Sequence, residues 1–297
     1  MPGCRRRSVT ASWWVYSAVA LLACSGPAQV RVGRIVIDAP HDFDQTKARE
    51  PIRATLQQRL EHDSGASFSP DARDATHVLQ VRIRHPEPPD NATPAGEGSE
   101  GALDAGLPAY VVQVRLRPIS SAPLYETTAP ARGDDTAVAV IAAFDEAWKI
   151  LGRQRQLDRE GDDKLIAALA DADSRVRDFV IVRLGDRRSR DAVVPLCDRL
   201  QREEKPELVL RIIGSLVSLG DPRAVEPMIE LSNRREPDFV LQVVYAVGAI
   251  GGRTAEAYLV TMASGHPVEA VRLGAAQALG EMKRGRGSPV NGRPGSE

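Results

Sequence analysis

Residues 219–228 read LGDPRAVEPM, and this stretch decides the fold of the second half of the chain. A glycine that follows an apolar segment is typical of a helix end, because glycine adopts the left-handed conformation without strain. Pro227 comes early in the next apolar segment, where a helix tolerates a missing backbone N–H. The stretch therefore predicts the turn between two helices.

The same pattern recurs along the second half of the chain. Its glycines lie 35, 31 and 29 residues apart, at Gly185, Gly220, Gly251 and Gly280. Each unit contains two segments with apolar residues at helical spacing, and the openings AVVPL at 192–196 and AVEPM at 224–228 match. A period near 30 residues with two helices in each unit predicts an all-α solenoid of about four helix pairs over residues 162–282.

Residues 221–228 resemble the opening of a HEAT repeat of the short type first noted in phycobilisome lyases. Residues 173–177 (DSRVR) and 268–272 (VEAVR) resemble the start of its second helix. The two middle repeats depart from this pattern at 209–211 (VLR) and 241–243 (LQV), which predicts a different local surface on the same fold. The resemblance implies an extended surface for a partner protein.

The first half predicts a small α/β domain over residues 30–156, with the element order β-α-β-β-α. Val30–Asp38 is rich in β-branched residues and predicts a strand. Thr46–His62 carries apolar residues at every fourth position and predicts a helix. A second helix begins at a cap formed by Asp135 or Thr136. Its apolar stripe consists of Ala137, Ile141, Phe144, Trp148 and Leu151, with Trp148 as the expected anchor on the sheet.

Two segments of this half echo each other, VLQVRIR at 78–84 and VVQVRLR at 111–117. Both alternate with period two, so they predict half-buried strands that pair antiparallel. Leu124–Thr128 adds a third strand. The polar face of this hairpin carries Arg82, Arg84, Arg115 and Arg117. Four guanidinium groups on one face favour lipid phosphates or an acidic protein as a ligand; the alternatives are a solvated face with acidic neighbours and a face covered by the helices.

The element order is similar to that of the small periplasmic domain at the amino terminus of the Tol-Pal propeller protein. It is similar also to the outer-membrane lipoprotein activators of penicillin-binding proteins. This similarity extends over about residues 30–156 and implies a docking module or an activator of an envelope enzyme. Residues 86–108 contain five prolines and four glycines and predict a mobile loop, and the polar stretch 152–161 predicts the domain boundary.

The amino terminus predicts an export signal. Arg5–Arg7 precede the mostly apolar Val9–Ala23, which has 15 residues, whereas a helix that spans a bilayer needs about 20. The stretch ends in LLAC at 21–24, which resembles the lipobox of bacterial lipoproteins. The resemblance implies cleavage after residues 1–23 and acyl chains on Cys24; an ordinary signal peptide cut nearby is the alternative. Ser25 implies the outer membrane, and residues 24–29 form a tether.

The composition excludes several classes of protein. Of 297 residues, 39 are Lys or Arg and 40 are Asp or Glu, so the near-neutral balance argues against a nucleic-acid binder. Removal of residues 1–23 takes three arginines and no acid, which leaves a formal charge near −4. Three cysteines exclude a disulfide-dense scaffold. The tail 283–297, rich in Gly, Pro and Arg, predicts disorder.

The chain shows no catalytic motif, since GxSxG, SxxK, HExxH and the P-loop pattern are all absent from the sequence. We therefore predict a protein that is not an enzyme and that needs no metal or cofactor. Cys197 is either a lyase-type thiol or, as we favour, a small hydrophobic core residue. His41, Asp42 and Asp44 form a polar cluster that we interpret as a loop and helix start rather than a cation site. Asp171 and Asp173 begin like a calcium loop, but Arg175 occupies the next ligand position.

These patterns together predict a membrane-anchored envelope lipoprotein, placed in the outer membrane and facing the periplasm. We expect it to act as a scaffold that binds an unidentified envelope protein through its HEAT repeats. Three alternatives stay open: a lyase-like or other enzyme that uses the solenoid groove, a lipoprotein activator that acts through the α/β domain, and a purely structural tether.

Overall fold

The computed structural model of the protein describes residues 30–40, 43, 45–63, 65–69, 73–86, 110–119, 124–233 and 236–287. Several predicted features lie outside these residues: the export signal with Cys24 and the tether, nearly all of the 86–108 loop, the polar cluster at 41, 42 and 44, and the end of the tail.

The amino-terminal part is a mixed five-stranded sheet with two helices on one face. Its strands are β1 (Val30–Asp38), β2 (Ala66–Phe68), β3 (His77–Arg84), β4 (Tyr110–Pro118) and β5 (Tyr125–Ala131). Its helices are α1 (Gln45–Glu61) and α2 (Thr136–Arg159). The spatial order is β2-β1-β3-β4-β5, with β1 parallel to both neighbours and β3, β4 and β5 antiparallel. The predicted hairpin and third strand are confirmed, whereas β2 has three residues and escapes a periodicity argument.

The alternation of the strands decides which face the helices cover. The inward positions of the hairpin are all buried: Leu79, Val81, Ile83, Val112, Val114 and Leu116. Helix α1 contributes Ile52, Leu56 and Leu60, which share a face because they recur at every fourth residue and are fully buried. One apolar core therefore lies between the sheet and its two helices.

Helix α2 begins at one of its two predicted caps but differs from its prediction in the residue that anchors it on the sheet. Asp135 caps it by accepting from the N–H groups of Ala137 and Val138 at 2.9 and 3.1 Å. Trp148 is only partly buried. Its ring stacks on Phe144, and its indole N–H donates to Asp63 in the turn after α1. The main anchor of α2 on the sheet is therefore Phe144, which is fully buried.

The stretch 152–161, predicted as the domain boundary, is part of a helix for most of its length. Helix α2 runs without interruption to Arg159, and Gln154, Arg155 and Leu157 within this stretch are buried. Its polar residues are explained by hydrogen bonds inside the fold, since Arg155 donates to the Gly65 carbonyl at 3.0 Å. The helix that covers the sheet thus continues into the second part of the molecule.

The second part is a solenoid of four helix pairs. The first helices of the pairs are α3 (Asp162–Ala167), α5 (Val193–Arg202), α7 (Val225–Ser232) and α9 (Arg253–Gly265). The second helices are α4 (Ser174–Asp186), α6 (Pro206–Leu219), α8 (Pro237–Ile250) and α10 (Glu269–Gly287). They share one continuous apolar core, so the predicted solenoid is confirmed. Helix α10 extends through Gly287, so residues 283–287 of the predicted disordered tail are helical.

The recurring glycines have two structural roles rather than one. Gly220 ends α6 with a φ of +63°, as predicted for a left-handed cap. Gly185 instead lies inside α4, where an added Cβ would lie 3.0 Å from the Cβ of Ser215. A small residue is needed there because α4 and α6 pack closely.

The arginine that closes each of the DSRVR and VEAVR motifs fastens a second helix to the preceding turn. Arg177 donates to the carbonyls of Asp171 and Ala172 at 2.9 and 3.1 Å. Arg272 makes the corresponding bonds to the carbonyls of His266 and Pro267 at 2.8 and 2.9 Å. The two motifs therefore mark the same structural position at the two ends of the solenoid.

A polar joint connects the sheet to the first helix pair. The Asp158 carboxylate on α2 accepts from Tyr125 Oη at 2.9 Å and from Arg187 Nη2 at 3.0 Å, and it pairs also with Arg183. The side chain of Asp158 is only 8% exposed. One buried carboxylate on α2 thus binds groups from β5 and from α4 and its carboxy-terminal end, which fixes the solenoid against the sheet.

Side chains near this joint also bond to β5, one of the two edge strands of the sheet. The carbonyls of Glu126 and Thr128 on the edge strand β5 accept from Gln154 Nε2 at 3.2 Å and from Arg175 Nη1 at 2.9 Å. An edge strand with free backbone groups is a site for unwanted pairing. Contacts from α2 and α4 satisfy these groups and so protect this edge.

Candidate interaction surfaces

The second helices of the solenoid expose large apolar side chains. Leu210 on α6, Tyr245 on α8 and Leu273 on α10 are 40%, 41% and 64% exposed. We call these three residues the second-helix face. Gly274 leaves room for this arrangement of side chains. A Cβ added to Gly274 would lie 2.3 Å from Leu241 Cδ1 and 3.3 Å from Tyr245 Oη. Glycine at this position lets side chains of α8 lie over α10.

A groove of about 510 Å³ lies between β5 and the helices α4 and α6. Phe179 and Leu208 contribute apolar surface to it, and an ion pair between Arg211 Nε and Asp178 Oδ1 at 3.0 Å contributes polar surface. Burial raises the pKa of Asp178 although Arg211 opposes this effect. The groove thus extends the exposed second helices toward the sheet and offers mixed polar and apolar surface.

The outer face of the sheet carries the predicted arginines. Helices α1 and α2 pack on the opposite face, and α4 contacts the sheet at its β5 edge, so the alternative in which helices cover this face is excluded for the described residues. Arg115 is half-buried and its Nη2 lies 3.0 Å from Glu126 Oε1, while Arg82 Nε lies 4.0 Å from Asp38 Oδ2. The other alternative, acidic neighbours, therefore applies to two of the four arginines.

Arg84 and Arg117 are exposed on the same face. Arg84 takes part in a further interaction. Among the described residues, no carboxylate forms an ion pair with Arg117. Of the predicted four, Arg115 is neutralised, Arg82 is loosely paired, Arg84 takes part in its further interaction, and Arg117 lies at the end nearest the start of β1.

Two more arginines on this face were missed from the sequence. A bulge at Gly33 shifts the register of β1 on β3 between Val32 and Arg34. As a result, Arg31 and Arg34 are both exposed on the open side of the sheet although they are an odd number of residues apart. Gly33 itself was the available signal, since a glycine inside a strand pattern indicates a bulge. An added Cβ there would lie 2.4 Å from Ala75 Cβ.

Cys197 is buried in the solenoid core, as favoured from the sequence. Burial raises the pKa of its thiol to about 11, and the carboxylates of Asp198 and Asp221 act in the same direction. The nucleophile in thiol chemistry is the thiolate, so a protonated, buried cysteine is unreactive. This environment disfavours the alternative of a thiol-dependent lyase.

The described residues contain no cluster of three or more side chains that could hold a metal ion. Asp171 and Asp173 cap backbone N–H groups instead, of Asp173 and Arg175 respectively, each at 2.9 Å. In the described part of the chain, the helices are too short or too polar to cross a bilayer.

The geometry of the helix pairs agrees with a comparison with known families. Residues 163–246 match the family model of HEAT repeats. The match begins in α3 and ends in α8, so HEAT repeats lie in the carboxy-terminal half as predicted. HEAT repeats are generally non-catalytic and suggest a scaffold for protein interactions. No curated protein matches the chain.

Proposed function

We propose that the protein is an envelope lipoprotein that is held at the outer membrane by acyl chains on Cys24 and faces the periplasm. Its HEAT solenoid presents the second-helix face to a partner protein. The observation that carries this proposal is the presence of exposed Leu210, Tyr245 and Leu273 on three successive second helices. Isolated apolar side chains are common on protein surfaces, but a row of them along a repeat surface is typical of a binding site.

The chemistry of the second-helix face supports a protein partner rather than a small molecule. A tyrosine that becomes buried at an interface contributes strongly to the free energy of binding, because it supplies a large rigid ring and a polar tip. The groove beside it combines Phe179 and Leu208 with the Arg211–Asp178 pair, so it offers both apolar area and hydrogen-bonding groups. An extended segment of a partner fits such a surface.

The joint at Asp158 supports the scaffold role. Because Asp158 binds Tyr125 of the sheet and Arg187 of the solenoid, the solenoid projects from the sheet in a fixed direction. A membrane anchor before the sheet would therefore hold the second-helix face at a defined orientation. A rigid scaffold loses less entropy when its partner binds.

Site-specific photocrosslinking in cells tests the partner surface. A photoreactive phenylalanine replaces Tyr245 or Leu273, and matched control positions are Val194 and Val260, which are 51% and 48% exposed on the first helices α5 and α9. We expect the same partner band from both second-helix positions and none from the controls. Equal bands from all four positions, or bands from the controls alone, would contradict the proposal.

Metabolic labelling with an alkyne palmitate analogue tests the anchor separately. We expect labelled protein from the natural chain and from Cys197→Ala, and no label from Cys24→Ala. Label that persists in Cys24→Ala would exclude this cysteine as the acylation site. An ordinary signal peptide predicts cleavage without any label.

A further inference from the structure

We propose that the open face of the sheet docks on an anionic lipid surface through Arg31, Arg34 and Arg117, which we call the basic end of the sheet. The membrane-facing orientation rests on the proposed anchor at Cys24. The binding of lipid by these arginines does not require the anchor, so the two proposals can fail separately.

The charge of the open face favours an anionic ligand. It carries six arginines and two carboxylates: Arg31, Arg34, Arg82, Arg84, Arg115 and Arg117 against Asp38 and Glu126. The two carboxylates lie beside Arg82 and Arg115. In the described part of the chain, no acid forms an ion pair with any arginine of the basic end. These three guanidinium groups are therefore available for phosphate.

Strand register places the three arginines at one end of the sheet. Val32 of β1 lies beside His77 of β3, which lies beside Pro118 of β4. Arg31, Arg34 and Arg117 are therefore close to the same row of the sheet. Two exposed apolar side chains lie at this end as well, Ile119 at 59% and Leu124 at 48%. Basic groups beside exposed apolar side chains are typical of surfaces that enter the headgroup region of a bilayer.

The length of the chain before β1 places the basic end near the proposed anchor. Six peptide units join Cys24 to Val30, and an extended chain advances at most about 3.4 Å per residue. The start of β1 then lies within about 20 Å of an acylated Cys24. The arginines nearest the membrane are thus those without an acidic partner, which favours lipid headgroups over an acidic protein as the ligand.

Vesicle binding tests this proposal without the anchor. Residues 24–297, which contain every described residue, are prepared with Cys24→Ala so that they carry no lipid. The protein is sedimented with vesicles of phosphatidylcholine alone, or of phosphatidylcholine with about one-third phosphatidylglycerol. We expect binding only to the anionic vesicles, and weaker binding as the salt concentration rises, because salt screens the attraction between exposed charges.

The variant R31Q/R34Q/R117Q removes the basic end. We expect it to lose anionic-vesicle binding by about a hundredfold, since each arginine near an anionic membrane contributes about fivefold. The matched control R190Q/R202Q/R253Q removes three exposed arginines of the solenoid and should bind as the unsubstituted chain does. Far-ultraviolet circular dichroism checks that both variants are folded.

Three results would overturn the proposal. They are equal binding to neutral vesicles, undiminished binding by R31Q/R34Q/R117Q, and absence of vesicle binding by the folded chain. If an acidic protein binds the basic end while vesicles do not, the ligand class is wrong although the site is real. In every one of these cases palmitate labelling still decides the anchor on its own.

Discussion

In the solenoid, most arginines with a described side-chain contact form ion pairs with carboxylates. At the basic end of the sheet, no described carboxylate forms an ion pair with an arginine. Arg177 makes two bonds of 3.0 Å to Glu203, and its side chain is only 10% exposed. Arg117 is exposed, and no described carboxylate pairs with it. The same residue type therefore stabilises the fold in one region and is available to a ligand in the other.

This difference follows from the physics of the two settings. A buried charge must be paired and hydrogen-bonded, because an uncompensated charge in the interior costs several kcal/mol. An exposed arginine remains hydrated and contributes little to stability, so its charge is free to attract a ligand. Substitutions that separate these roles test the comparison directly.

The largest effect is expected for Glu203→Ala. The Glu203 side chain is 1% exposed and binds both Arg177 and Arg199. Its removal leaves the buried Arg177 guanidinium without its anion, and we expect a loss of about 3–5 kcal/mol in the free energy of unfolding. Urea denaturation measures this loss. Asp221→Ala is the control, because it removes a more exposed cap with its own Arg223 partner, and it should cost about 1 kcal/mol.

A smaller effect is expected for Asp158→Asn at the joint between the sheet and the solenoid. The amide keeps the shape and still accepts from Tyr125, but it loses the charge that faces Arg183 and Arg187. We expect a loss of about 1.5–3 kcal/mol, measured by urea denaturation. Glu146→Gln is the matched control, since Glu146 is 49% exposed and pairs with Arg175; it should cost less than about 1 kcal/mol. Equal losses would mean that the joint is no stronger than a surface pair.

Acid should weaken the solenoid through the same buried pair. Burial acts to raise the pKa of Glu203, but bonds from Arg177 and Arg199 outweigh it and hold this pKa at about 2, below the ordinary value of 4.5. The stabilisation is therefore complete above pH 4.5 and is lost as the pH falls toward 2. Glu203→Gln should unfold at lower urea at pH 7 and should show a shallower decline in acid. An unchanged acid decline in this variant would assign acid unfolding to other carboxylates.

The repeats were predictable because a solenoid repeats its chemistry as well as its length. Gly220 with Asp221 and Pro222 defines one turn, and glycines recur in the other units at spacings of 35, 31 and 29 residues. The hairpin of the sheet was predictable for a similar reason, since its two strands alternate in the same way. Local pattern determines both, so the solenoid and the hairpin followed from local sequence.

Contacts between distant residues were not predictable in this way. The polar composition of 152–161 indicates a domain boundary but not the bonds that Gln154 and Arg155 make to groups far away in sequence. Arg31 and Arg34 joined the arginine face only through the bulge at Gly33. Polar composition alone does not distinguish an exposed linker from a buried polar joint.

The two roles of arginine are tested most directly by urea denaturation of Arg177→Gln and Arg117→Gln, measured side by side at pH 7. The chemical change is identical, and only the surroundings of the arginine differ. We expect a loss of more than about 3 kcal/mol for Arg177→Gln and a change within about 0.5 kcal/mol for Arg117→Gln. Similar losses for the two variants would contradict the division of arginines into those that hold the fold and those that are free to bind a ligand.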